Sequence, residues 1–350
     1  MRLILIALLV LLGLAGQAVA QARPGPEARP LGDWTDPDLG RAVIEGVATE
    51  RFLWLRGASG NLVRFDRQTG ERKVEAQGVI DILADGPQLW ALSKTNQNEA
   101  VVKEVRRSVF ADRRIYFEGD PVALFATGAE PGVVTNTQVL MPAGDGWSRH
   151  RLAATLDPHA HVSALIGDAL LVGYNKGEWG GGLRRIDVFT GTVSFVRGAG
   201  DGLCGGLLNP ECHPMVGIVP DAERVDCALV GASLAHLSGR YGEVLRVCRD
   251  TITRVFADTL PARSDSLSPG GTWPFNSIVA VRDGWVAVGQ DRYARSRHGT
   301  VAMAAVPPFL MWAGLRVSAP SDDVIFMESA CCWGSASFIQ YRVIAIPVSD

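Results

Sequence analysis

The chain has 350 residues, of which 47% are hydrophobic and 20% charged, with a formal net charge of −3. This is enough chain for a large buried core, and one closed all-β domain commonly uses this many residues. The basic residues form no run or stripe, so the charge pattern argues against nucleic acid as a partner.

Residues 1–20 have the pattern of a secretion signal. Arg2 gives a positive start, Leu3 to Leu14 an apolar run, and Ala18-Val19-Ala20 a small-residue cleavage site. The alternative, a membrane anchor, needs a longer apolar run. We therefore expect cleavage, a mature chain that is not embedded in a membrane, and secretion into the periplasm.

Residues 21–32 are rich in Pro, Ala, Arg and Gly and predict a flexible lead-in. From residue 33 to 350 the apolar runs are short, bounded by Gly, Asp and Pro, and lack a helical period. This pattern predicts one all-β domain over 33–350.

Seven pairs of short strands follow one another, roughly one pair every 45 residues. The first strands of the pairs are 43–44, 79–83, 122–125, 162–165, 216–219, 278–281 and 315–317. The second strands are 53–55, 89–92, 133–134, 170–172, 227–230, 285–288 and 324–327.

The clearest repeats carry a third strand ending in a Thr-Gly turn, at Thr69-Gly70 and at Thr190-Gly191. Units of this length with several short strands are typical of a β-propeller. We predict seven blades, with six or eight left open. The last unit lacks a fourth strand, so residues near Asp33 to Gly40 would close the ring and cover its edges.

The repeat resembles the blades of secreted seven-bladed propellers in three motifs. These are the Leu-Trp strand, the Leu/Val-x-Arg-Phe/Ile-Asp strand and the Thr-Gly turn. Similar blades occur in two-component-sensor, virginiamycin-lyase-like and quinoprotein-type propellers. The resemblance implies that the first strand of each blade lines a central channel. It also implies that two kinds of loop lie on one face: those from strand four to strand one of the next blade (4-to-1) and those from strand two to strand three (2-to-3). Six insertions map to that face: 93–99, 175–182, 199–213, 258–275, 291–299 and 329–337. Because binding residues concentrate in loops, we expect this face to be functional.

Six cysteines in a secreted chain permit disulfides, with 15 connectivities open. The simplest scheme pairs sequence neighbours: Cys204 with Cys212, Cys227 with Cys248, and Cys331 with Cys332. An adjacent pair closes a strained ring, and a similar ring lies against the cofactor in some quinoprotein dehydrogenases. Structural or free cysteines, or thiolates that bind a metal, are the alternatives at Cys331-Cys332.

The Gly-rich segment 173–182 is the most distinctive loop. Asn175, Glu178 and Trp179 offer a polar group, a carboxylate and an apolar plate suited to a sugar or cation, unless Trp179 packs on the next blade. Arg292, Tyr293, Arg295, Arg297 and His298 form a basic cluster that suits an anionic ligand, unless it is a solvated loop. Trp333 completes the expected ligand-binding set.

His161 and His213 are expected to face a common channel mouth, where neutral imidazoles bind metals or act as acid and base. Structural histidines are the alternative. No nucleophile elbow, zinc-protease motif or dinucleotide fingerprint occurs in the sequence. The sequence therefore favours a binding module for a small molecule, a glycan or an envelope protein. The alternative is a lyase or a quinone- or metal-dependent oxidoreductase that uses the two histidines. No particular cofactor follows from the sequence.

Overall fold

The computed structural model describes residues 23–24, 29–35, 37–39, 43–49, 51–85, 88–105, 112–128, 130–158, 162–236, 239–260, 271–289, 291–306, 317–318, 323–330 and 340–347. These residues form β-strands and two short 3₁₀ helices, Pro37–Leu39 and Gly177–Trp179. The predicted all-β class is confirmed.

The strands are numbered in chain order, and most of them belong to six four-stranded blades. Before blade one lie β1 (Arg23–Pro24) and β2 (Arg29–Thr35). Blade one is β3 (Val43–Ala48), β4 (Phe52–Gly57), β5 (Leu62–Asp66) and β6 (Arg72–Ala76); blade two is β7 (Val79–Asp85), β8 (Gln88–Asn96), β9 (Glu99–Glu104) and β10 (Arg113–Tyr116). Blade three is β11 (Pro121–Phe125), β12 (Gly132–Thr135), β13 (Gln138–Ala143) and β14 (Gly146–Arg151); blade four is β15 (Val162–Ile166), β16 (Ala169–Gly173), β17 (Leu183–Asp187) and β18 (Val193–Val196).

The second half of the chain continues the same order. Blade five is β19 (Met215–Pro220), β20 (Ala228–His236), β21 (Gly239–Val247) and β22 (Ile252–Phe256). A hairpin of β23 (Thr259–Leu260) and β24 (Gly271–Thr272) leads into blade six, which is β25 (Phe275–Val281), β26 (Gly284–Gly289), β27 (Arg292–Arg297) and β28 (Thr300–Ala305). The last strands are β29 (Val317–Ser318), β30 (Asp323–Ala330) and β31 (Gln340–Pro347).

Each blade is an antiparallel sheet in which consecutive strands are neighbours. The predicted first and second strands fall within the observed ones wherever the structure describes them, except that Cys227 lies one residue before β20. Among the described residues six blades are complete, which is one of the numbers that the prediction left open beside seven. The segment expected to form a seventh blade contributes a three-stranded sheet in the order β2-β31-β30.

The ring is closed by pairing between the two ends of the chain. Strand β2 runs antiparallel to β31, with Asp33 opposite Arg342 and Thr35 opposite Gln340. Strand β29 pairs in parallel with β3 and contacts β25, so it bridges the inner strands of blades six and one. The predicted closing strand therefore exists, but it begins at Arg29, inside the segment that we expected to be a flexible lead-in.

The hydrophobic core lies between neighbouring blades. Between blades four and five, for example, Leu171 and Leu183 pack with Met215 and Val230. Related clusters fill the interfaces between blades one and two, two and three, three and four, and five and six. Each fully buried Leu or Val contributes roughly 1.5–3 kcal/mol relative to exposure. Interfaces of this kind make a rigid support for the loops.

Carboxylates on the inner strands connect adjacent blades. Glu45 on β3 accepts a hydrogen bond from the Ile82 backbone N–H at 3.2 Å, and Asp81 at the equivalent position of β7 accepts one from the Leu124 N–H. Both residues follow a register irregularity near the start of their strand. Burial, together with the nearby Glu45, raises the pKa of Asp81 well above its usual value. These bonds are part of the scaffold.

The two predicted Thr-Gly turns are confirmed, and an aspartate organises each of them. Asp66 Oδ1 accepts the backbone N–H groups of Gln68 at 2.9 Å and Thr69 at 3.2 Å. Asp187 Oδ1 does the same for Phe189 and Thr190. Gly70 and Gly191 then take positive φ angles of 75° and 70°, which an L-residue rarely adopts.

Two of the three predicted disulfides are present. Cys204 is bonded to Cys212, and Cys227 to Cys248, with Cα–Cα distances of 5.5 Å and 4.2 Å. Cys331 and Cys332 lie outside the described residues. The second disulfide joins the residue before β20 to the residue after β21, next to the directly opposite pair Ala228 and Val247.

The loops separate into two faces. We call the end of the blades that carries the 2-to-3 and 4-to-1 connections the upper face, and the end that carries the 1-to-2 and 3-to-4 connections the lower face. Two expected upper-face insertions are wrong: residues 93–99 mostly belong to β8 and β9, and residues 291–299 contain β27. The polar side chains of these residues are typical of loops, but their backbones are paired in the antiparallel sheets.

Candidate functional site

The upper-face loop of blade four displays an exposed tryptophan. Asn175 Oδ1 accepts the Gly177 backbone N–H at 3.0 Å, and the Lys176 N–H is bonded to the Gly180 carbonyl at 2.8 Å. Gly177 and Gly180 have φ angles of 60° and 73°, so the tight loop requires glycine there. The 3₁₀ turn leaves the Trp179 side chain 77% exposed.

This loop is fixed against the loop that follows blade four, residues 197–214, which we call the disulfide loop. The Gly181 N–H donates to the Pro210 carbonyl at 2.8 Å, and the Gly182 N–H donates to the His213 carbonyl at 3.0 Å. A Cβ on Gly180 would lie 2.4 Å from the Glu211 carbonyl carbon, so no larger residue fits. The two loops therefore form one surface on the upper face.

The disulfide loop is organised by its own hydrogen bonds as well as by its disulfide. The Asn209 side-chain amide donates to the carbonyls of Leu203 at 2.8 Å and Gly205 at 3.1 Å. Leu208 is fully buried, whereas Leu203 is 76% exposed. Leu203 and Trp179 thus give the combined surface two exposed apolar side chains.

His213 ends the disulfide loop and packs on blade five. Its Nδ1 accepts the Asn209 backbone N–H at 3.1 Å, and its ring lies 5.1 Å from the Tyr241 ring on β21. Burial lowers the pKa of His213, so the imidazole is neutral at pH 7. Because Nδ1 is an acceptor, the proton of the neutral ring is on Nε2.

A cleft of about 460 Å³ opens beside His213, between the disulfide loop, β21, β22 and the β23–β24 hairpin. Glu243 and Arg254 form an ion pair in it, with an Nε–Oε2 distance of 2.6 Å. The Tyr241 hydroxyl donates to the Cys212 carbonyl at 3.2 Å, which connects the cleft to the disulfide loop. The polar lining residues are His213, Arg240, Tyr241, Glu243, Arg254 and Thr272.

A second cavity, of about 170 Å³, lies between blades five and six on the lower face. Arg246 lines this cavity as a structural group, because it pairs with both Asp221 and Glu223, the latter at 2.6 Å. We therefore place the candidate site at the upper-face cleft and loops of blades four and five.

The structure brings together Asn175, Glu178 and Trp179 of the predicted ligand-binding residues. His213, predicted at a channel mouth, packs against the third strand of blade five, where Tyr241 and Asn209 hold its ring. His161 and Trp333 lie outside the described residues.

Most of the predicted basic cluster at residues 292–298 is strand β27. Tyr293 is fully buried, and Arg295 is 9% exposed. Arg292 pairs with Asp258 at 3.1 Å, and its guanidinium lies 5.6 Å from the centre of the Trp273 ring. Arg292 thus makes its contacts within blade six and the loop before it, and Tyr293 is buried in the same blade. Neither residue lines the cleft.

Sequence analysis missed five polar residues of the cleft: Arg240, Tyr241, Glu243, Arg254 and Thr272. The available signal was the length of the blade-five hairpin, because β20 and β21 have nine residues each and carry Arg240 up to the upper face. The cleft also needs the β23–β24 hairpin, whose pairing of Thr259 with Thr272 has no clear sequence pattern.

Over the described part of the chain, no three or more His, Cys, Asp or Glu side chains are grouped so as to hold a metal ion. The same residues include no helix with the length and apolar character needed to cross a membrane.

Comparison with known proteins identifies the fold. No protein-family model matches the chain, and no curated protein matches it. Among solved structures, a chain from the crystal structure of a mitotic checkpoint complex aligns with TM-score 0.58 and 10% identity, covering 94% of this chain and 98% of that one. The WD40 domain of Pan2 from Neurospora crassa aligns with TM-score 0.56 and 12% identity, covering 94% and 100%. At these identities the similarity shows the β-propeller fold alone.

Proposed function

We propose that this β-propeller is a secreted binding module. Its upper face at blades four and five would hold a polar small molecule, a glycan or an envelope protein. The observation that carries the proposal is the fixed surface made by the 174–182 loop and the disulfide loop, with Trp179 and Leu203 exposed beside a polar cleft. A rigid scaffold that displays such loops is a common way to build a binding site.

Two further observations support this proposal. The two disulfides are consistent with an oxidising compartment, as expected if residues 1–20 direct export. One of the structurally similar chains is part of a mitotic checkpoint complex, so the fold is compatible with assembly on a partner.

The proposal is tested by changing the exposed loop residues. We expect the double variant E178Q/W179A to lose binding in a screen of a glycan array, a small-molecule library and envelope proteins. Its Tm should stay within about 2 °C of wild type, since solvent-exposed substitutions cost little stability. The matched control is F189A, which removes an aromatic side chain that is 63% exposed on the lower face.

Equal binding by wild type, E178Q/W179A and F189A would contradict the proposal. A large fall in the Tm of E178Q/W179A would instead assign Trp179 a packing role.

A further inference from the structure

The upper-face cleft has an excess of positive charge among its described residues. Glu243 is 6% exposed, and its carboxylate is paired with Arg254 at 2.6 Å. Arg240 is the exposed second residue of β21 and lines the same cleft. No ion pair to Arg240 occurs among the residues that the structure describes. Among the described residues of the cleft, the Arg240 guanidinium is therefore the one without a carboxylate opposite it.

The other polar groups of the cleft are hydrogen-bond donors. The neutral His213 ring, held through Nδ1, has Nε2–H as its remaining polar group. The Thr272 hydroxyl oxygen already accepts the Gly242 N–H at 2.8 Å, so its proton remains to be donated. A guanidinium with neighbouring neutral donors suits an acceptor that carries charge, because charge-assisted hydrogen bonds are the strong ones.

We propose that this cleft binds a ligand that carries a single carboxylate on a polar body, as a uronic acid does. This inference rests on the proposed binding function and names its ligand class. Arg240 would pair with the carboxylate, while His213 and Thr272 would donate hydrogen bonds to the ligand.

The charge and the size of the cleft both favour this class. A phosphate ester would bring a second negative charge towards Glu243, which costs electrostatic energy in a partly buried site. A cation would meet Arg240 instead of a free carboxylate. A volume of about 460 Å³ fits one or two sugar rings, and Leu207 and Tyr241 offer apolar surface to the C–H face of a ring.

The test uses three probes that differ in one substituent: glucuronate, glucose and glucose 6-phosphate. Isothermal titration calorimetry of the intact mature protein should give a Kd for glucuronate about tenfold lower than for either of the others, as one charge-assisted contact predicts. Added NaCl should weaken the binding of glucuronate and leave that of glucose unchanged.

Substitution R240Q should remove most of this preference, raising the Kd for glucuronate about tenfold. The matched control R282Q removes an exposed arginine from the lower-face turn between β25 and β26, and should change the Kd by less than about twofold. The Tm of both variants should equal that of wild type, which separates loss of binding from loss of fold.

Three results would overturn the proposal: no binding of glucuronate, equal Kd values for glucuronate and glucose, or equal effects of R240Q and R282Q. Tighter binding of glucose 6-phosphate would replace the carboxylate with a phosphate. If the probes fail but E178Q/W179A still loses its ligand, only the ligand class is wrong. If both experiments fail, the upper face of blades four and five is not the binding surface.

Discussion

A single aspartate organises each Thr-Gly turn, which is the most recognisable motif of the repeat. The sequence predicted the Thr-Gly turns, but the residue that fixes each turn lies three positions before the threonine. Asp66 binds two backbone N–H groups through Oδ1 and pairs with the Arg51 guanidinium through Oδ2 at 2.6 Å. The side-chain hydrogen bond from Arg51 is the main reason that the pKa of Asp66 lies below its usual value.

This lowered pKa predicts how the turn responds to acid. A carboxyl with a folded-state pKa below its unfolded value contributes stability above about pH 4, and that contribution is lost as the pH falls through the folded pKa. We therefore expect the Tm of D66N to be lower than that of wild type at pH 7, with the gap shrinking below pH 4. Thermal unfolding from pH 7 to pH 2 measures it.

The exposed Asp145, in the turn between β13 and β14, provides the control for this experiment. D145N should follow the wild-type curve throughout. A gap between wild type and D66N that stays constant with pH would mean that the ionised carboxylate does not stabilise the turn.

At the scale of elements, the hydrophobic pattern predicted the strands well and the loops less well. Segments such as Leu53-Trp54-Leu55 are buried on both faces between blades, so their apolar runs are continuous. Polar strand ends gave no such signal. Lys94 to Asn96 continue β8 with exposed side chains, because the ladder with β9 requires only backbone groups.

The candidate site illustrates the same limit. The glycines of residues 177–182 and the nearby Trp179 were recognisable, since they require special backbone angles or exposure. The cleft joins Arg240, Arg254 and Thr272 from three separate elements, and single-sequence patterns do not show which elements will meet. Arg295 was misplaced for a related reason: its charge suggested a loop, although β27 buries it.

The blade-five disulfide is expected to be a major source of stability. Cys227 and Cys248 are 1% and 6% exposed and enclose a hairpin with a sequence separation of 21. Closing a loop of this length restricts the unfolded chain by about 3 kcal/mol. Urea denaturation of C227A/C248A should therefore show the free energy of unfolding reduced by about 2–4 kcal/mol.

The matched comparison is C204A/C212A, which opens the shorter, exposed loop on the upper face. It should cost less stability than C227A/C248A but should weaken ligand binding, because Cys212 is connected to the cleft through Tyr241. The reverse order of stabilities would contradict the structural role of the buried disulfide.

At the scale of the whole molecule, closure of the ring is the feature that a sequence repeat predicts least well. The spacing predicted seven similar units, whereas the part of the chain that the structure describes forms six complete blades and a three-stranded sheet of β2, β30 and β31. Strand β2 shows no clear apolar alternation. Its position follows from the open edge of β31, which offers unpaired backbone groups to any strand within reach.

Closure predicts different effects for two truncations. A chain that begins at Arg29 keeps β2 and should unfold at nearly the wild-type temperature. A chain that begins at Asp36 exposes the edge of β31, so its Tm should fall and it should aggregate at lower concentration. Differential scanning calorimetry and light scattering measure both effects. Equal stability of the two truncated chains would show that β2 does not hold the ring closed.

The central claim is that the upper face of blades four and five is the binding surface. Hydrogen–deuterium exchange, with and without the tightest ligand from the binding screen, tests it most directly. We expect slower exchange in residues 174–182, 198–214 and 240–243, and no change in the lower-face turns at 187–192 and 281–284. Protection confined to the lower face, or to the inner strands β3 and β7, would contradict the claim.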